Sequence, residues 1–256
     1  VLGVVPDNTA QYICTMINQE KKYIYGENPY NEHFGALKAF LHIAGGKEES
    51  FTGSRKEFIG RGKSIFSPEA MRKEYLSNIS GAGIDPCLCE NTKLELNAGE
   101  EKSFIIILGQ YESLEEVEGC IKRFKDIQQA TISLEESINY WRQFLGRIKV
   151  NTPDKSMDIL LNGWLMYQTL ACRYWARTAF YQSGGAYGYR DQLQDSMNIG
   201  IIESKITREQ ILRSAERQYT EGDVQHWWHP VVDSGIRTRF SDDLLWLPYV
   251  TANYIN

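Results

Sequence analysis

The run GGAYGYRDQLQDS, residues 184–196, places glycines and tyrosines ahead of an arginine and two carboxylates four positions apart, Asp191 and Asp195. Ordinary helix packing asks for no such series. A glycine-rich loop entering a helix holds Arg190 and Asp191 at its rim, with Gln194 and Asp195 one turn further on. Planar donors and acceptors grouped in this way suit a polyhydroxylated ligand, whose neighbouring hydroxyls are chelated by carboxylates and amides while aromatic faces cover the C–H side of the ring. Trp164, Tyr174, Trp175, Tyr181, Tyr187 and Tyr189 offer such faces nearby. The plainer reading is equally open at this point: Arg190 and Asp191 form an ion pair that stitches the loop, and the aromatics belong to a helical core.

Two further runs add to the first. EGDVQHWWHP (residues 221–230) and GIRTRFSDDLLWLP (residues 235–248) concentrate His226, His229, three tryptophans, two arginines and three aspartates in loops or at a helix start. His226 and His229 lack the i, i+4 spacing of a helical zinc pair and have no glutamate between them, so no metal is expected. Ser241 reads as a helix cap with Asp242 and Asp243 behind it. One aspartate serves the helix start and the other is left to face a ligand. FIGRGKS, residues 58–64, lacks the phosphate-loop spacing and sits in a β-rich stretch, where it reads as a surface turn.

The chain that must position these groups has 256 residues, 42% of them hydrophobic and 24% charged, a globular composition. A net charge of −5 with scattered basic residues points away from nucleic acid and from anionic membranes. Five cysteines, an odd number without repeated spacing, argue for a reducing compartment, and a cytoplasmic location is expected. Cys87 and Cys89 flank Leu88 and read as buried free thiols on one face of a strand. No apolar run reaches membrane-spanning length, so no membrane contact is expected. The abrupt first residues VLGVVPD and the uncapped apolar run at the other end read as cuts through a longer protein.

The pattern up to residue 110 is short β-branched and aromatic runs between turns, among them AQYICTMIN, KKYIYG, LKAFLHIAGG and EFIGRG. LELNAGEEKSFIIILG reads as a hairpin whose second strand, continuously apolar, suits the middle of a sandwich. Beyond residue 110 the period becomes helical. Ser113 and Ser133, each with a glutamate three positions on, mark the starts of two linking helices. Helical periods then continue to the end of the chain, joined by aromatic loops. The expected architecture is mixed, β then α: a β-sandwich over 1–110, a helical linker over 111–150, and helices over 151–256.

NPYN, EFIGRG, GAGIDPC, AYGYRDQLQDS, EGDVQHWWHP and GIRTRFSDDLLWLPYV together resemble the inverting glycoside phosphorylases, the family of cellobiose, chitobiose and laminaribiose phosphorylases. Within it the likeness is to the phosphorylase-like domain of cyclic β-1,2-glucan synthases and to β-1,2-oligoglucan phosphorylases. The resemblance implies that 151–256 is the first part of an (α/α)6 barrel, truncated here. It implies phosphorolysis of a β-linked gluco-oligosaccharide with inversion, inorganic phosphate as co-substrate and no cofactor. A homodimer stands as a further expectation on which the residues are silent. By the family's pattern Arg177, Arg190 and Asp191 bind the sugar. Gln192, Asp195, His226, Trp228, Asp242 and Asp243 complete the expected substrate-binding set.

Two departures from the family matter. The family's general acid lies in a DWND-type motif well after the RD motif, and no such motif occurs here. The acid is therefore expected beyond Asn256, and these residues alone are expected to be inactive. The disaccharide-specific members often carry an arginine in the loop before the RD motif, where this chain has GGAYGY. Two other readings stay open: a non-catalytic glucan-binding or chain-length-controlling domain of a glucan synthase, and an inverting glycoside hydrolase on an (α/α)6 barrel, which would need a second carboxylate as base.

Overall fold

Apolar and β-branched residues alternate through the first third of the chain, and in the computed structural model, which describes residues 9–30, 34–176, 185–230 and 233–256, they form strands. The chain divides into two compact units, Val1–Glu135 and Glu136–Asn256. No helix among the described residues is long and apolar enough to cross a membrane.

In the first unit β1 (Cys14–Asn18), β2 (Tyr23–Glu27), β3 (Lys38–Ala44) and β6 (Ile105–Tyr111) form an antiparallel sheet in the order β1-β2-β3-β6. Tyr23, Phe40 and Ile107 face one side, where helix α2 (Leu114–Arg123) covers them with Val117, Cys120, Ile121 and Phe124. β4 (Ser50–Ser54) and β5 (Pro86–Asn91) make a second, two-stranded antiparallel sheet that packs against β2 and β3. Cys87 and Cys89 lie on β5 as free thiols. Burial pushes their pKa values up to about 12 and about 11, so both stay protonated and inert.

Three local expectations are corrected here. Residues 94–96 form no strand, so LELNAGEEKSFIIILG is not a hairpin. Its second run pairs instead with the distant β3, where Ile106 meets Ile43 and Leu108 meets Leu41, because two apolar strands in register outweigh a local turn. β6 also lies at the sheet's edge, with Ile106 and Leu108 exposed, rather than in its middle. EFIGRG is not a strand: Ser54 accepts from the Glu57 amide to start helix α1 (Arg55–Ile59), which ends at Gly60 with φ of 83°, a conformation suited to glycine.

Ser113 does cap α2, through a reciprocal box with Glu116. Ser133 caps nothing, because helix α3 (Ile127–Leu145) already runs through it and the Asp126 carboxylate accepts from the Gln129 amide at 2.9 Å near its start.

The second unit is helical around a small sheet. Helix α4 is one continuous rod, with α geometry in Lys155–Ile159 and Leu165–Tyr167 and π geometry in Leu160–Trp164 and Gln168–Trp175. It is followed by β7 (Tyr187–Gly188), α5 (Tyr189–Gly200), α6 (Ser204–Ala215), β8 (Gln225–Trp228), β9 (Gly235–Arg237) and α7 (Asp243–Ile255). Strands β7, β8 and β9 form a sheet where the sequence suggested only loops. Tyr187, Tyr189, Leu193, Val224, Trp228 and Val250 fill one core, and Phe144, Leu170, Tyr174, Ile199 and Ile202 another.

Two partly buried carboxylates in the first unit are held on opposite terms. Burial would raise the pKa of Glu57, yet hydrogen bonds from Ser77, Thr52 and Lys73 hold it at about 2. Among the described residues Glu90, on β5, accepts only the Ile43 amide at 3.0 Å while its Oε1 is buried without a partner. Burial, with Glu49 adding like charge, pushes its pKa up to about 8. A folded pKa above the unfolded one means that folding favours the protonated acid. Its contribution is intact below about pH 4.5 and is lost as pH rises towards 8. Glu90→Gln keeps an acceptor for Ile43 without the charge. The variant should match the native protein near pH 4 and exceed its stability at pH 9 by about 1–3 kcal/mol, the cost of an unsatisfied buried group. Urea denaturation of both proteins across that range measures this, and a pH-independent difference would refute it.

Candidate functional site

The start of α5 is built from three directions. The β7–β8 register pairs Tyr187 with Trp228 and Gly188 with Trp227, which brings the EGDVQHWWHP run alongside the loop that enters the helix. Gly188 then precedes the first helical residue, and a Cβ there would stand 3.0 Å from an Asp191 carboxylate oxygen, so glycine leaves that side chain its place. Gln192 is buried and both ends of its amide are used: Oε1 accepts from the Gly188 amide at 2.7 Å, and Nε2 donates to the Arg173 carbonyl at 3.1 Å. Arg173 in turn donates from Nε to Asp195 at 3.1 Å. Burial raises the Asp195 pKa, against the opposing pull of Arg173.

The outer layer is charged. Arg190 donates from Nη1 to Asp242 at 3.0 Å, while its Nε lies 3.6 Å from Asp191. The hydrogen bond from Arg190 holds the Asp242 carboxyl below the usual carboxylate range. Asp191 lies in the first turn of α5, where the helix dipole favours its negative charge, and it remains half exposed. Arg190, Asp191 and Asp242 thus share one accessible rim.

Behind them Asp243, 2% exposed, bonds through Oδ2 to His226 Nδ1 at 2.7 Å, and its Oδ1 is buried without a partner among the described residues. The His226 ring stacks on Phe240 at 4.6 Å. Ser241 does not cap α7: Asp242 occupies that position in helical geometry, with no capping bond from its side chain. Both aspartates are used laterally instead, one towards α5 and one towards β8.

The structure brings Arg190, Asp191, Asp242, Asp243 and His226 together and sets Gln192, Asp195 and Trp228 inside. Trp228 is fully buried, with the Arg217 guanidinium 5.3 Å over its ring, and has no exposed face. Tyr174, Tyr187 and Tyr189, expected as sugar platforms, are core residues. Trp164 and Trp175 are exposed. Arg177 and Tyr181 lie outside the described residues.

The sequence reading missed Arg173 and Phe240. Arg173 sits in an unremarkable helical run, and only its spacing relative to a folded neighbour reveals it. Phe240 stands directly before SDD, a position that could have suggested an aromatic wall. An adjoining charged cluster, which shares Phe240 with the site, lines a cavity of about 330 Å³ with Glu221, Asp223, Arg237, Arg239, Phe240 and Leu244. There Arg237 forms ion pairs with Asp223 and Glu221 and lies 4.0 Å over the Tyr219 ring. No group of three or more potential metal ligands occurs among the described residues.

Residues 140–256 match the model of the glycosyl hydrolase 94 superfamily, catalytic domain, and residues 1–127 that of the glycosyl hydrolase 94 supersandwich domain. Cyclic beta-(1,2)-glucan synthase NdvB of Rhizobium meliloti is 37% identical over 99% of this chain, which covers 9% of that protein. N,N'-diacetylchitobiose phosphorylase of Vibrio furnissii is 25% identical over 81% of the chain and 29% of its own length. The 3-O-beta-D-glucopyranosyl-beta-D-glucuronide phosphorylase of Paenibacillus borealis is 25% identical over 70% of the chain and 22% of its own length. The chain thus spans less than a third of each of these relatives. With sheets followed by helices, and with two models of one family covering nearly all of it, the chain belongs to the glycosyl hydrolase 94 superfamily.

Proposed function

We propose that this chain forms the sugar-binding part of an enzyme that phosphorolyses β-linked gluco-oligosaccharides with inversion, releasing α-glucose 1-phosphate. The observation that carries the reading is the half-exposed Asp191 carboxylate at the start of α5, with Arg190 beside it and the buried Gln192 amide beneath. Family membership supports it, as do relatives named as phosphorylases.

In this reading Asp191 accepts hydrogen bonds from sugar hydroxyls and Arg190 donates one, while its pair with Asp242 limits its rotamers. Inversion requires an acid to protonate the glycosidic oxygen as phosphate attacks the anomeric carbon from the opposite face. Phosphate takes the place of the water and base of a hydrolase. None of these carboxylates is taken as the acid: Asp242, on the rim, is held ionised by Arg190, and Asp195, inside, is tied to Arg173. In this reading the acid and most phosphate-gripping residues are supplied from elsewhere in the enzyme.

A second reading has its own support. The relative matched over 99% of the chain is named as a glucan synthase. The same rim would there hold a glucan chain without cleaving it.

Asp191→Asn in the intact protein should lower kcat/KM for phosphorolysis by the equivalent of about 2–4 kcal/mol, roughly 30- to 1,000-fold, through loss of charged hydrogen bonds. Steady-state assay of glucose 1-phosphate release measures it, and near-normal turnover would remove Asp191 from the site.

The second expectation concerns specificity. Residues 184–189 carry no arginine, and a loop without a guanidinium to aim at one hydroxyl is less able to reject longer or differently linked chains. The intact protein should prefer β-1,2-linked gluco-oligosaccharides to cellobiose. Specificity constants across β-1,2, β-1,3 and β-1,4 panels decide it, and a preference for cellobiose or chitobiose would defeat this argument about the loop.

A further inference from the structure

We propose that His226 presents its Nε2 as a hydrogen-bond acceptor for a sugar hydroxyl at this rim, and that Asp243 is the positioning residue that holds it there. The inference rests on the reading of the rim as a gluco-oligosaccharide site.

Backbone register supplies the first argument. Gly188 pairs with Trp227, so His226, the next residue, lies alongside the start of α5 that carries Arg190 and Asp191. The two adjacent aspartates at the start of α7 reach to these two places at once, Asp242 to Arg190 and Asp243 to His226. His226 and Arg190 are therefore held by consecutive residues of one helix start.

The chemistry of the pair supplies the second. A carboxylate oxygen only accepts, so with Asp243 Oδ2 at 2.7 Å the ring hydrogen of the pair is on Nδ1, the tautomer that leaves the Nε2 lone pair for a ligand. Phe240 stacks against the ring and restricts its rotation. The side chain is one-third exposed, and Nε2 has no partner among the described residues.

Asp243 supplies the third. A tie between β8 and α7 alone would be more stable as a neutral, fully satisfied pair. Here an almost completely buried carboxylate keeps one oxygen without a partner among the described residues. Such a residue costs stability, and what it provides is a fixed tautomer and a fixed ring azimuth, as carboxylates do behind histidines in other sites. A sugar hydroxyl both donates and accepts, and the rim meets both needs, with Arg190 as donor and Asp191 and His226 as acceptors.

The critical variant is His226→Asn. An asparagine amide can still donate to Asp243 from roughly the Nδ1 position, but has no atom at Nε2. Calorimetric titration of the intact protein with β-1,2-linked glucotriose should show affinity weakened about 3- to 10-fold, as for loss of one neutral hydrogen bond, with an unchanged denaturation midpoint. In the unaltered protein with 15N-labelled histidine, the His226 Nε2 resonance should be that of an unprotonated nitrogen and should move when the trisaccharide is added. In Asp243→Asn the resonance should shift towards mixed tautomers.

Native affinity in His226→Asn, with binding still lost in Asp191→Asn, would overturn the role of His226 and leave the sugar-site reading in place. An Nε2 resonance unmoved by bound trisaccharide would do the same, even if the asparagine variant failed to fold. No binding of the trisaccharide by the unaltered protein would overturn both.

Discussion

The buried amide of Gln192 is the constraint on which the candidate site depends. Its two ends reach in opposite directions, one to the Gly188 amide and one to the Arg173 carbonyl, so a single side chain fixes where the loop stops, where α5 starts and how far α4 lies from both. Removing it would take one hydrogen bond from the part-buried Gly188 amide and one from the Arg173 carbonyl, each contributing about 0.5–1.5 kcal/mol. Arg190 and Asp191 are first-turn residues of that same helix, and any slip of its start would rotate both of them. The Arg173–Asp195 pair reinforces the contact one turn further along.

Outside this clamp the charges of the rim are arranged in pairs of unequal exposure. Arg190 with Asp242 is solvent-facing and contributes little to stability, which makes it available for rearrangement when a ligand arrives. His226 with Asp243 is half sunk, and the buried partner is the acid. Neighbouring residues at one helix start therefore serve as a loose contact and a stiff one. The pattern of Ser then two Asp had suggested a cap and a leftover carboxylate. The side chains are drawn sideways by Arg190 and His226, stronger partners than the amides of the helix.

Much of the architecture could be read from the residues. The switch from period two to helical period near residue 110 marks a real change, and the Ser113–Glu116 box begins a real helix because its partners are local. One failure depended on partners remote in sequence, and others on competing local signals. The apolar run of β6 pairs with β3 rather than with the segment before it, and nothing within the run itself reveals that choice. Ser133 has the same spacing to glutamate as Ser113, yet α3 had begun six residues earlier, near Asp126. At the site the motif residues were visible by type, but the division between rim and core was not. Tyr189 and Gln192 sit inside while Arg190 and Asp191 sit outside, a consequence of helical phase relative to a core that Trp228 and Val250 complete.

That phase has its own origin in α4. Over Gln168–Trp175 the backbone closes i→i+5 rings, as in the Ala176 amide bonding to the Ala171 carbonyl, so each turn holds more residues than an α-helix would. The excess works as a vernier: it alters the azimuth of Arg173 far more than its height along the axis. A single-residue deletion between 168 and 172 that let the rod relax to ordinary winding would carry the guanidinium and carbonyl about 100° around the cylinder, away from Asp195 and Gln192. Length variation in this helix is thereby coupled to the alignment of α5, which Arg173 meets through its guanidinium and its carbonyl. The tolerance of the chain to insertion and deletion is set here by angle rather than by distance.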